Sequence, residues 1–515
     1  MTDLLITGAR LVPVAGVAAP EHPVDVLVSG GRVADVGPKL ASRGVADVIA
    51  AQGRWLLPGL WDAHVHPVMW ALARARIDLS GTTDPTDVCR RVAAHLSARP
   101  GEQLVLGYGY RSAAWDRLPT VLELDAATGS RPVALASGDA HNGWLNSAAL
   151  ALIGQAPREG ALVEGEWYAA YRHLEAIATS LEEPEAALEA ALAAAAARGV
   201  VGIVDFEFDS AWRTWPARLE RGRPPVRIRA AAYADSLDDV AAAGLRTGDP
   251  LVAGEDLLTM GPLKVISDGS LNTLTAWCCE PYAPDGGDDG GCGRSNLTAA
   301  ELREVMSRAG DIGLTCAIHA IGDRAVATAL DAFSATRQGG SIEHAQLVGA
   351  ADFERLAALG LTASVQPVHL IDDRLVTDRY WRDRADRVYA FRSLLDAGVA
   401  LAFGSDAPVA PLDPWRAIAA AVFRADAADE PWHSEQAITP AEALASSTDG
   451  QGTVHIGQPA DLVLVDADPL ALGSLADRSA TADGSPAAQA DRAHLRELPV
   501  SLTLVGGRRT HEALT

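Results

Sequence analysis

The sequence is short of several features that mark special classes of protein. Its 515 residues include only five cysteines, and an odd count in a long chain does not suggest a disulfide framework. No window reaches the roughly 18 uninterrupted apolar residues of a membrane-spanning helix, so we expect no membrane association. Lys and Arg number 43 against 67 Asp and Glu, a formal net charge of −24. This balance argues against binding to nucleic acid or to anionic membranes.

The first residues also lack the basic cluster that opens a secretory signal. The segment MTDLLITGARLVPVAG carries an acid at Asp3 instead, so we expect a cytoplasmic protein. An apolar fraction of 48% with 21% charged residues is ordinary for a globular chain. The length indicates a large barrel with additions, or two to three domains.

Both ends of the chain contain sequence patterns that are typical of β-strands. Short segments rich in Val, Ile and Leu and bounded by Gly or Pro fill residues 1–57, and similar segments return in ADLVLVDADP and SLTLVGGRR. Such segments are typical of β-strands. We expect a small β-sandwich domain formed by residues 1–57 and 451–515, although two unrelated edge hairpins would give the same pattern. Residues 473–493 are polar and Ala-rich, which predicts a flexible excursion.

Between the ends, residues 58–450 alternate candidate strands and helices, which is typical of a parallel α/β sheet. Eight strands are expected near residues 58–65, 200–207, 226–233, 259–267, 313–319, 340–345, 361–366 and 400–405. Eight such strands predict a (β/α)₈ TIM-type barrel, whose catalytic groups lie at the C-terminal ends of the strands. The stretch of about residues 70–198 after strand one is too long for a structureless loop, so we expect a large insertion with structure of its own.

The segment LLPGLWDAHVHP, residues 56–67, gives the strongest local signal. Side chains two positions apart on a strand point to the same side, so His64 and His66 project together where the strand ends. Two convergent imidazoles can chelate Zn²⁺ or a similar metal, although a pair of ordinary loop histidines is the alternative. Asp62 shares their parity and is a candidate to orient one of the rings.

Four further segments place metal-competent groups at predicted strand ends. His319 ends the strand in GLTCAIHAIGD, His344 the strand in GSIEHAQ, and Asp406 follows the strand in LAFGSDAPV. Lys264 lies within the strand of GPLKVISDGS, with Asp268 four residues further on. Each of these residues could be an ordinary core residue, but together they indicate a metal site at the end of the barrel.

Taken in order, these segments resemble the amidohydrolase superfamily, and within it amidohydrolase family 3, the group that includes YtcJ-like proteins and N-substituted formamide deformylases. The resemblance runs from ITGARL through PGLWDAHVH, GDAHNGWLNSAAL, LKVISDGSL, HAIGD, IEHAQ and GSDAP to PADLVLVDADPL. This ordered set covers nearly the whole chain. It is specific for the family and much less specific for the substrate.

The resemblance implies a centre for two divalent metal ions, which we expect to be zinc. Its implied ligands are His64, His66, Lys264, His319, His344 and Asp406. Lys264 would be carboxylated on its amine and would bridge both ions. A salt bridge from Lys264 to Asp268, with a single metal held by the histidines and Asp406, is the alternative that the residues leave open.

The implied reaction is hydrolysis of a C–N bond, an amide or an N-formyl-type group, by a metal-bound hydroxide available near pH 7. Asp406 would act as general base and then as general acid. Hydrolysis of an ester, a cyclic amide or an amidine, and a non-catalytic amidohydrolase-like scaffold, are the alternatives. We expect a small-molecule substrate, and a homodimer is one expected assembly because barrels of this type often form dimers.

Other residues have two interpretations each. His141, in GDAHNGWLN, is a candidate to contact substrate or to stabilise an oxyanion, with a packing role as the alternative. Gln366 and His369, in SVQPVHLIDD, follow strand seven and could bind substrate or stabilise a loop. Arg111 is a candidate to reach an acidic group on the substrate, and Asp268 is a further candidate for substrate binding.

Overall fold

Strands from both ends of the chain meet in one sheet of the computed structural model. The structure describes residues 3–40, 47–74, 76–79, 81–101, 103–110, 112, 115–137, 142–181, 184–208, 210–272, 274–283, 291–426, 429–473 and 486–514. The strands of this sheet are β1 (Leu4–Leu11), β2 (Val24–Ser29), β3 (Arg32–Gly37), β4 (Asp47–Ala50), β5 (Trp55–Pro58), β19 (Leu462–Val465), β20 (Val500–Val505) and β21 (Arg508–Glu512). Their order is β21-β20-β19-β5-β1-β2-β3, with β4 paired to β1.

Strand β5 joins the two ends, because it pairs in parallel with β1 and antiparallel with β19. Alternate residues of β2 are buried, as expected for a strand with one face against a core. That core is shared by both ends and includes Ile6, Leu11, Val26, Leu56, Leu462, Leu464, Leu502 and Leu504. The division into a β-sandwich over residues 1–57 and 451–515 and a barrel over 58–450 stays a prediction.

Eight parallel strands form the barrel that the alternating pattern predicts. They are β6 (Leu60–Val65), β12 (Val200–Asp205), β13 (Arg227–Ala232), β14 (Leu258–Ile266), β15 (Cys316–Ala320), β16 (Gly340–His344), β17 (Thr362–Val365) and β18 (Ala400–Phe403). Each pairs in parallel with the next, from β6 to β18. A parallel bridge between Val65 and Ala407 connects the first strand to the loop after the last. The interior below the strand ends is packed by Val204, Phe206, Ala231 and Ala317.

The helices that follow the barrel strands each bury apolar residues. They are α7 (Ala211–Arg221), α8 (Leu237–Ala243), α9 (Ala299–Asp311), α10 (Asp323–Thr336), α11 (Asp352–Ala358), α12 (His369–Tyr380), α13 (Phe391–Asp396), α14 (Pro414–Phe423) and α15 (Pro440–Ala445). In α9, Thr298 and Glu301 form a capping box, which satisfies free N–H groups of the first turn. Its buried residues are Leu302, Val305, Met306 and Ala309, the spacing of an apolar stripe.

Residues Val68–Ala191 form a second compact unit, separate from the unit of Met1–Pro67 and Leu192–Thr515. Its elements, with the helices at its edges, are α1 (Pro67–Arg74), β7 (Ile77–Asp78), α2 (Pro85–Ala98), β8 (Val105–Tyr110), α3 (Val121–Thr128), β9 (Val133–Ser137), β10 (Asn142–Leu145), α4 (Ser147–Leu152), β11 (Leu162–Val163), α5 (Glu164–Leu181) and α6 (Pro184–Ala196). The five strands form one sheet in the order β11-β10-β9-β8-β7. The stretch after strand one therefore contains a sheet and helices.

The C-terminal region differs from the flexible excursion that its composition predicts. Residues 486–496 form helix α16 (Pro486–Arg496), and its Ala488 and Leu495 are buried. Together with the buried Arg492, these residues lie on one side of the helix, so packing stabilises a helix that the composition does not indicate. Residues 474–485 lie outside the described residues. Among the helices of the described part of the chain, none has the length and apolar character needed to cross a bilayer.

Candidate active site

Closure of the barrel brings His64 of β6, and His66 directly after it, against the loop after β18. The Asp406 N–H donates to the His64 carbonyl oxygen over 2.7 Å, and Oδ1 of Asp406 lies 3.5 Å from Nε2 of both His64 and His66. Gly404 permits this approach, because a Cβ at that position would lie 2.6 Å from the His64 Cβ. Residues some 340 positions apart in the chain thus meet at the C-terminal end of the barrel.

A buried carboxylate fixes the orientation of the His64 ring. Oε2 of Glu343 lies 2.7 Å from Nδ1 of His64, and both side chains are buried. A ring that donates from Nδ1 keeps the lone pair of Nε2 free for a metal. The sequence interpretation did not single out Glu343, and its only signal was its place beside His344 in GSIEHAQ.

Asp62 holds the backbone rather than a histidine ring. Its Oδ1 accepts the N–H of His64 over 3.1 Å and the N–H of Ser405 over 3.0 Å. The orienting role expected for Asp62 is therefore filled by Glu343, since Asp62 faces the backbone that joins β6 to the loop after β18. Burial raises the pKa of Asp62 to about 6, against the effect of its hydrogen bonds from Ser405 and His64.

Two consecutive residues of β16 face the same histidine. Glu343 bonds to His64, and the ring of His344 lies 5.1 Å from the ring of His64. Successive side chains normally point to opposite faces of a strand. His344 has a φ of 71°, in the left-handed region, and this local change of direction lets both side chains reach the site. Asp406 has a φ of 56°, so two site residues adopt a conformation that is uncommon for residues other than glycine.

Lys264 extends its amine to His64 and to the ring of Phe206. Its Nζ is 3.1 Å from Nε2 of His64 and 4.1 Å from the centroid of the Phe206 ring. Burial lowers the pKa of Lys264 to about 8, although the carboxylates of Glu343 and Asp406 act in the opposite direction. A larger fraction of the amine is therefore neutral near pH 7 than for an exposed lysine.

Asp268 is engaged by the backbone of the loops around it. Its carboxylate accepts the N–H groups of Trp277 at 2.8 Å, Ile321 at 3.1 Å and Gly322 at 2.9 Å. Burial raises the pKa of Asp268 to about 7, and these hydrogen bonds oppose the rise. The carboxylate thus anchors these loops, and its Oδ1 also lies 3.4 Å from Nε2 of His319.

His319 contacts the cluster from its other side. Its ring lies 4.5 Å from the ring of His344, and its Nε2 lies 3.4 Å from Oδ1 of Asp268 and 3.3 Å from the Gly269 carbonyl oxygen. Burial, and then the charge of Lys264, lower the pKa of His319 to about 3. The imidazole is therefore neutral at neutral pH, as a metal ligand must be.

The side chains at this point fit a divalent metal. One ligand atom each from His64, His344 and Asp406 lies within 4.8 Å of the others. In the described part of the chain, Nδ1 of His66 and Nδ1 of His344 are buried without a hydrogen-bond partner, which is costly for a polar atom. Burial would raise the pKa of Asp406, but His64 and other neighbouring rings hold that pKa well below its usual value. Neutral imidazoles with an ionised carboxylate suit Zn²⁺.

The remaining candidates are buried residues that follow β17, or they lie outside the described residues. Gln366 follows β17, is buried, and donates from its amide to the Ser364 carbonyl oxygen over 3.3 Å. The ring of His369 lies 6.3 Å from that of His344, and its buried Nε2 has no hydrogen-bond partner among the described residues. His141 and Arg111 lie outside the described residues, so their roles stay predictions.

Comparison with known proteins agrees with this geometry. The model of the amidohydrolase family matches residues 47–511. The chain is 25% identical over 506 residues to putative amidohydrolase YtcJ of Bacillus subtilis (strain 168), covering 90% of each chain. It is 27% identical over 472 residues to N-substituted formamide deformylase of Arthrobacter pascens, covering 81% of this chain and 84% of that protein. A crystal structure of an uncharacterized metal-dependent hydrolase from Pyrococcus horikoshii OT3 is similar, with a TM-score of 0.75 and 25% identity over 91% of this chain and 98% of that chain.

Proposed function

Because the chain belongs to the amidohydrolase family, we propose that it is a metal-dependent hydrolase that cleaves a C–N bond, an amide or an N-formyl-type group, in a small molecule. The observation that carries the proposal is the convergence of ligand atoms from His64, His344 and Asp406 at the C-terminal end of the barrel. The similarity to a protein named N-substituted formamide deformylase supports the choice of bond. The similarity to a protein described as a metal-dependent hydrolase supports the metal.

In this proposal the centre takes two divalent ions, with zinc favoured by its imidazole-rich ligands. The proposed ligands are His64, His66, Lys264, His319, His344 and Asp406. When bound, such ions polarise a substrate carbonyl and lower the pKa of water. Glu343 would keep the His64 ring turned so that its Nε2 faces the metal, through the bond of 2.7 Å to Nδ1.

We further propose that Lys264 is carboxylated. The neutral amine would attack carbon dioxide, an N–C bond would form and one proton would leave, which converts a cationic side chain into an anionic carbamate. The lowered pKa of Lys264, about 8, supports the neutral amine that this reaction needs. The alternative of a salt bridge to Asp268 has less support, because the backbone already satisfies the Asp268 carboxylate.

Asp406 is proposed to carry the proton. Its pKa lies well below the usual value because of the neighbouring histidines, so the carboxylate is ionised and able to accept a proton from water. The same carboxylate would then give that proton to the leaving nitrogen. His141 is proposed to contact substrate or to stabilise the developing negative charge on its oxygen, and Arg111, Gln366, His369 and Asp268 remain candidates for substrate binding.

The proposal is tested first by metal content. Protein purified without chelator should contain about two zinc-like ions per chain by elemental mass spectrometry, and should hydrolyse members of a panel of N-formyl and N-acyl amines. A content of about one ion would favour a centre that does not use Lys264 as a bridge. A content near zero that added metal does not restore would favour the non-catalytic scaffold.

The site assignment is tested by His64→Asn and Asp406→Asn. Each substitution should lower both metal content and hydrolysis, because each removes a ligand atom from the converging set. The matched control is His22→Asn, at an exposed position of the N-terminal region, which should leave both unchanged. Unchanged metal content and hydrolysis in both site variants would refute the assignment.

A further inference from the structure

Phe208 places a solvent-exposed aromatic ring directly beside the site. Its side chain is 58% exposed, and its ring stacks on that of His66 with 5.2 Å between centroids and 19° between planes. Phe208 follows β12 and His66 follows β6, and these two strands are neighbours in the barrel. Isolated apolar residues are common on protein surfaces. This ring, however, touches a proposed metal ligand at the open end of a barrel.

The Phe208 ring is also supported from a third strand. It lies 5.3 Å from the ring of Tyr233, which follows β13, and the Tyr233 hydroxyl donates to the Phe206 carbonyl oxygen over 2.7 Å. The Phe206 ring in turn contacts His64 at 4.6 Å. We call Phe206, Phe208 and Tyr233 the aromatic shelf. It extends from the buried cluster to the exposed edge of the Phe208 ring.

The position of the shelf relative to Asp406 indicates which part of a substrate would reach it. In the proposed reaction Asp406 gives a proton to the leaving nitrogen, so that nitrogen must come within hydrogen-bond distance of its carboxylate. Oδ1 of Asp406 lies 3.5 Å from Nε2 of His66, the ring on which Phe208 stacks. A substituent on the nitrogen that extends past His66 towards solvent would therefore meet Phe208.

A second exposed apolar side chain follows the last barrel strand, three residues after Asp406. Val409 is 66% exposed, and its N–H donates to the Asp406 carbonyl oxygen over 2.9 Å, which closes a turn directly after Asp406. Exposed apolar residues thus follow both β12 and β18. An apolar group that covered either side chain would remove apolar surface from water, which is favourable.

We propose that Phe208 determines substrate specificity by packing against an apolar, preferentially aromatic, substituent on the substrate nitrogen. The inference rests on the proposed function, because that reaction is what places the substrate nitrogen beside Asp406. It narrows the substrate class to amides of arylalkyl or other apolar amines. Stacked aromatic pairs are favoured over simple apolar contact, which is the reason for the aromatic preference.

Binding of non-hydrolysable analogues tests the proposal without relying on turnover. N-benzylmethanesulfonamide and N-methylmethanesulfonamide share a tetrahedral sulfonyl group that resists hydrolysis and differ only in the nitrogen substituent. Their Kd values are measured by calorimetry on metal-replete protein. The wild type should prefer the benzyl compound, Phe208→Ala should lose about tenfold of that preference, and Phe208→Leu should lose less. The control Ile456→Ala, at a side chain 57% exposed in the C-terminal region, should keep it.

The ratio of the two Kd values is the decisive quantity, because a loss of metal or a disturbed His66 would weaken both compounds together. A wild type without benzyl preference, or a Phe208→Ala variant that keeps it, overturns the proposal. Hydrolysis of N-benzylformamide and N-methylformamide is measured in parallel. If neither is hydrolysed while the benzyl preference depends on Phe208, the proposed N-formyl chemistry fails and the role of Phe208 in binding stands.

Discussion

At the scale of single residues, the charges around His64 are unbalanced in a way that a metal would correct. Glu343 and Asp406 are acids and Lys264 is a base, so these three groups carry two negative charges and one positive charge, a net charge of −1. Conversion of Lys264 to a carbamate would make that net charge −3. Buried charge of one sign is costly unless a counter-charge is present. Divalent cations at the proposed centre would supply that counter-charge.

Glu343→Gln tests the role of the carboxylate behind His64. The amide keeps the size of the side chain and loses the negative charge that holds the His64 ring, so metal affinity should fall about 10–100-fold. Competition with a chromogenic chelator measures this change. Glu354→Gln, on the exposed surface of α11, is the control, and equal affinities in the two variants would contradict the role given to Glu343.

At the scale of elements, the loop after β18 closes the barrel and builds the site in one step. His66 N–H donates to the Ala407 carbonyl oxygen over 3.0 Å, and Asp406 N–H donates to His64. These bonds continue the sheet past the end of β18 and place Asp406 next to two histidines. Position 404 must be glycine for this contact to form, because a Cβ there would lie 2.7 Å from the His64 backbone nitrogen.

Gly404→Ala should therefore disturb stability and metal binding together. The added methyl group forces β6 and the loop apart, with a cost of about 1–3 kcal/mol for overpacking of this kind. Both the Tm and the metal content should fall, as measured by thermal unfolding and elemental analysis. At Gly222, the residue after α7, a Cβ would meet no atom within 4 Å, so Gly222→Ala serves as the control. A normal metal content in Gly404→Ala would argue against the closure as the device that positions Asp406.

At the scale of the whole molecule, one buried ion pair ties the barrel to the sheet formed by both ends. Arg227 of β13 bonds through Nε to Oδ2 of Asp461 over 2.7 Å, and Oδ1 of Asp461 accepts the N–H of Gly506 over 2.7 Å. The two side chains are only 13% and 10% exposed. This carboxylate therefore connects a barrel strand to the turn between β20 and β21.

Asp461→Asn should lower the Tm, because it removes the less exposed of the two carboxylates that pair with the Arg227 guanidinium and leaves only Asp256, at 3.2 Å. Loss of a partner from a buried pair costs up to about 3–5 kcal/mol, and the remaining pair with Asp256 keeps the cost below that limit. Asp239→Asn is the matched control, since Asp239 pairs with Arg213 at side chains that are 56% and 48% exposed. Exposed pairs of this type contribute about 0–1 kcal/mol. Similar Tm values for the two variants would show that the Arg227–Asp461 pair does not hold the sheet to the barrel.

The expectations of a cytoplasmic location, of a homodimer as one assembly, and of no nucleic-acid or membrane partner stay predictions. The acidic balance of 67 acids against 43 bases bears on the last of these through charge alone. Size-exclusion chromatography with light scattering would measure the assembly directly.

The sequence by itself determined the barrel and the set of metal-competent residues. Apolar strands ending in His64, His319 and His344 are local patterns, and the order of strand and helix segments is sufficient to predict a parallel barrel. Only the tertiary structure decided which side chains contact one another in the site. Glu343 is adjacent to His344 in the chain, but its bond to His64 depends on the packing of distant strands. The same applies to Phe208 beside His66, because that contact forms only when β12 pairs with β6, from which the unit of Val68–Ala191 separates it in the chain.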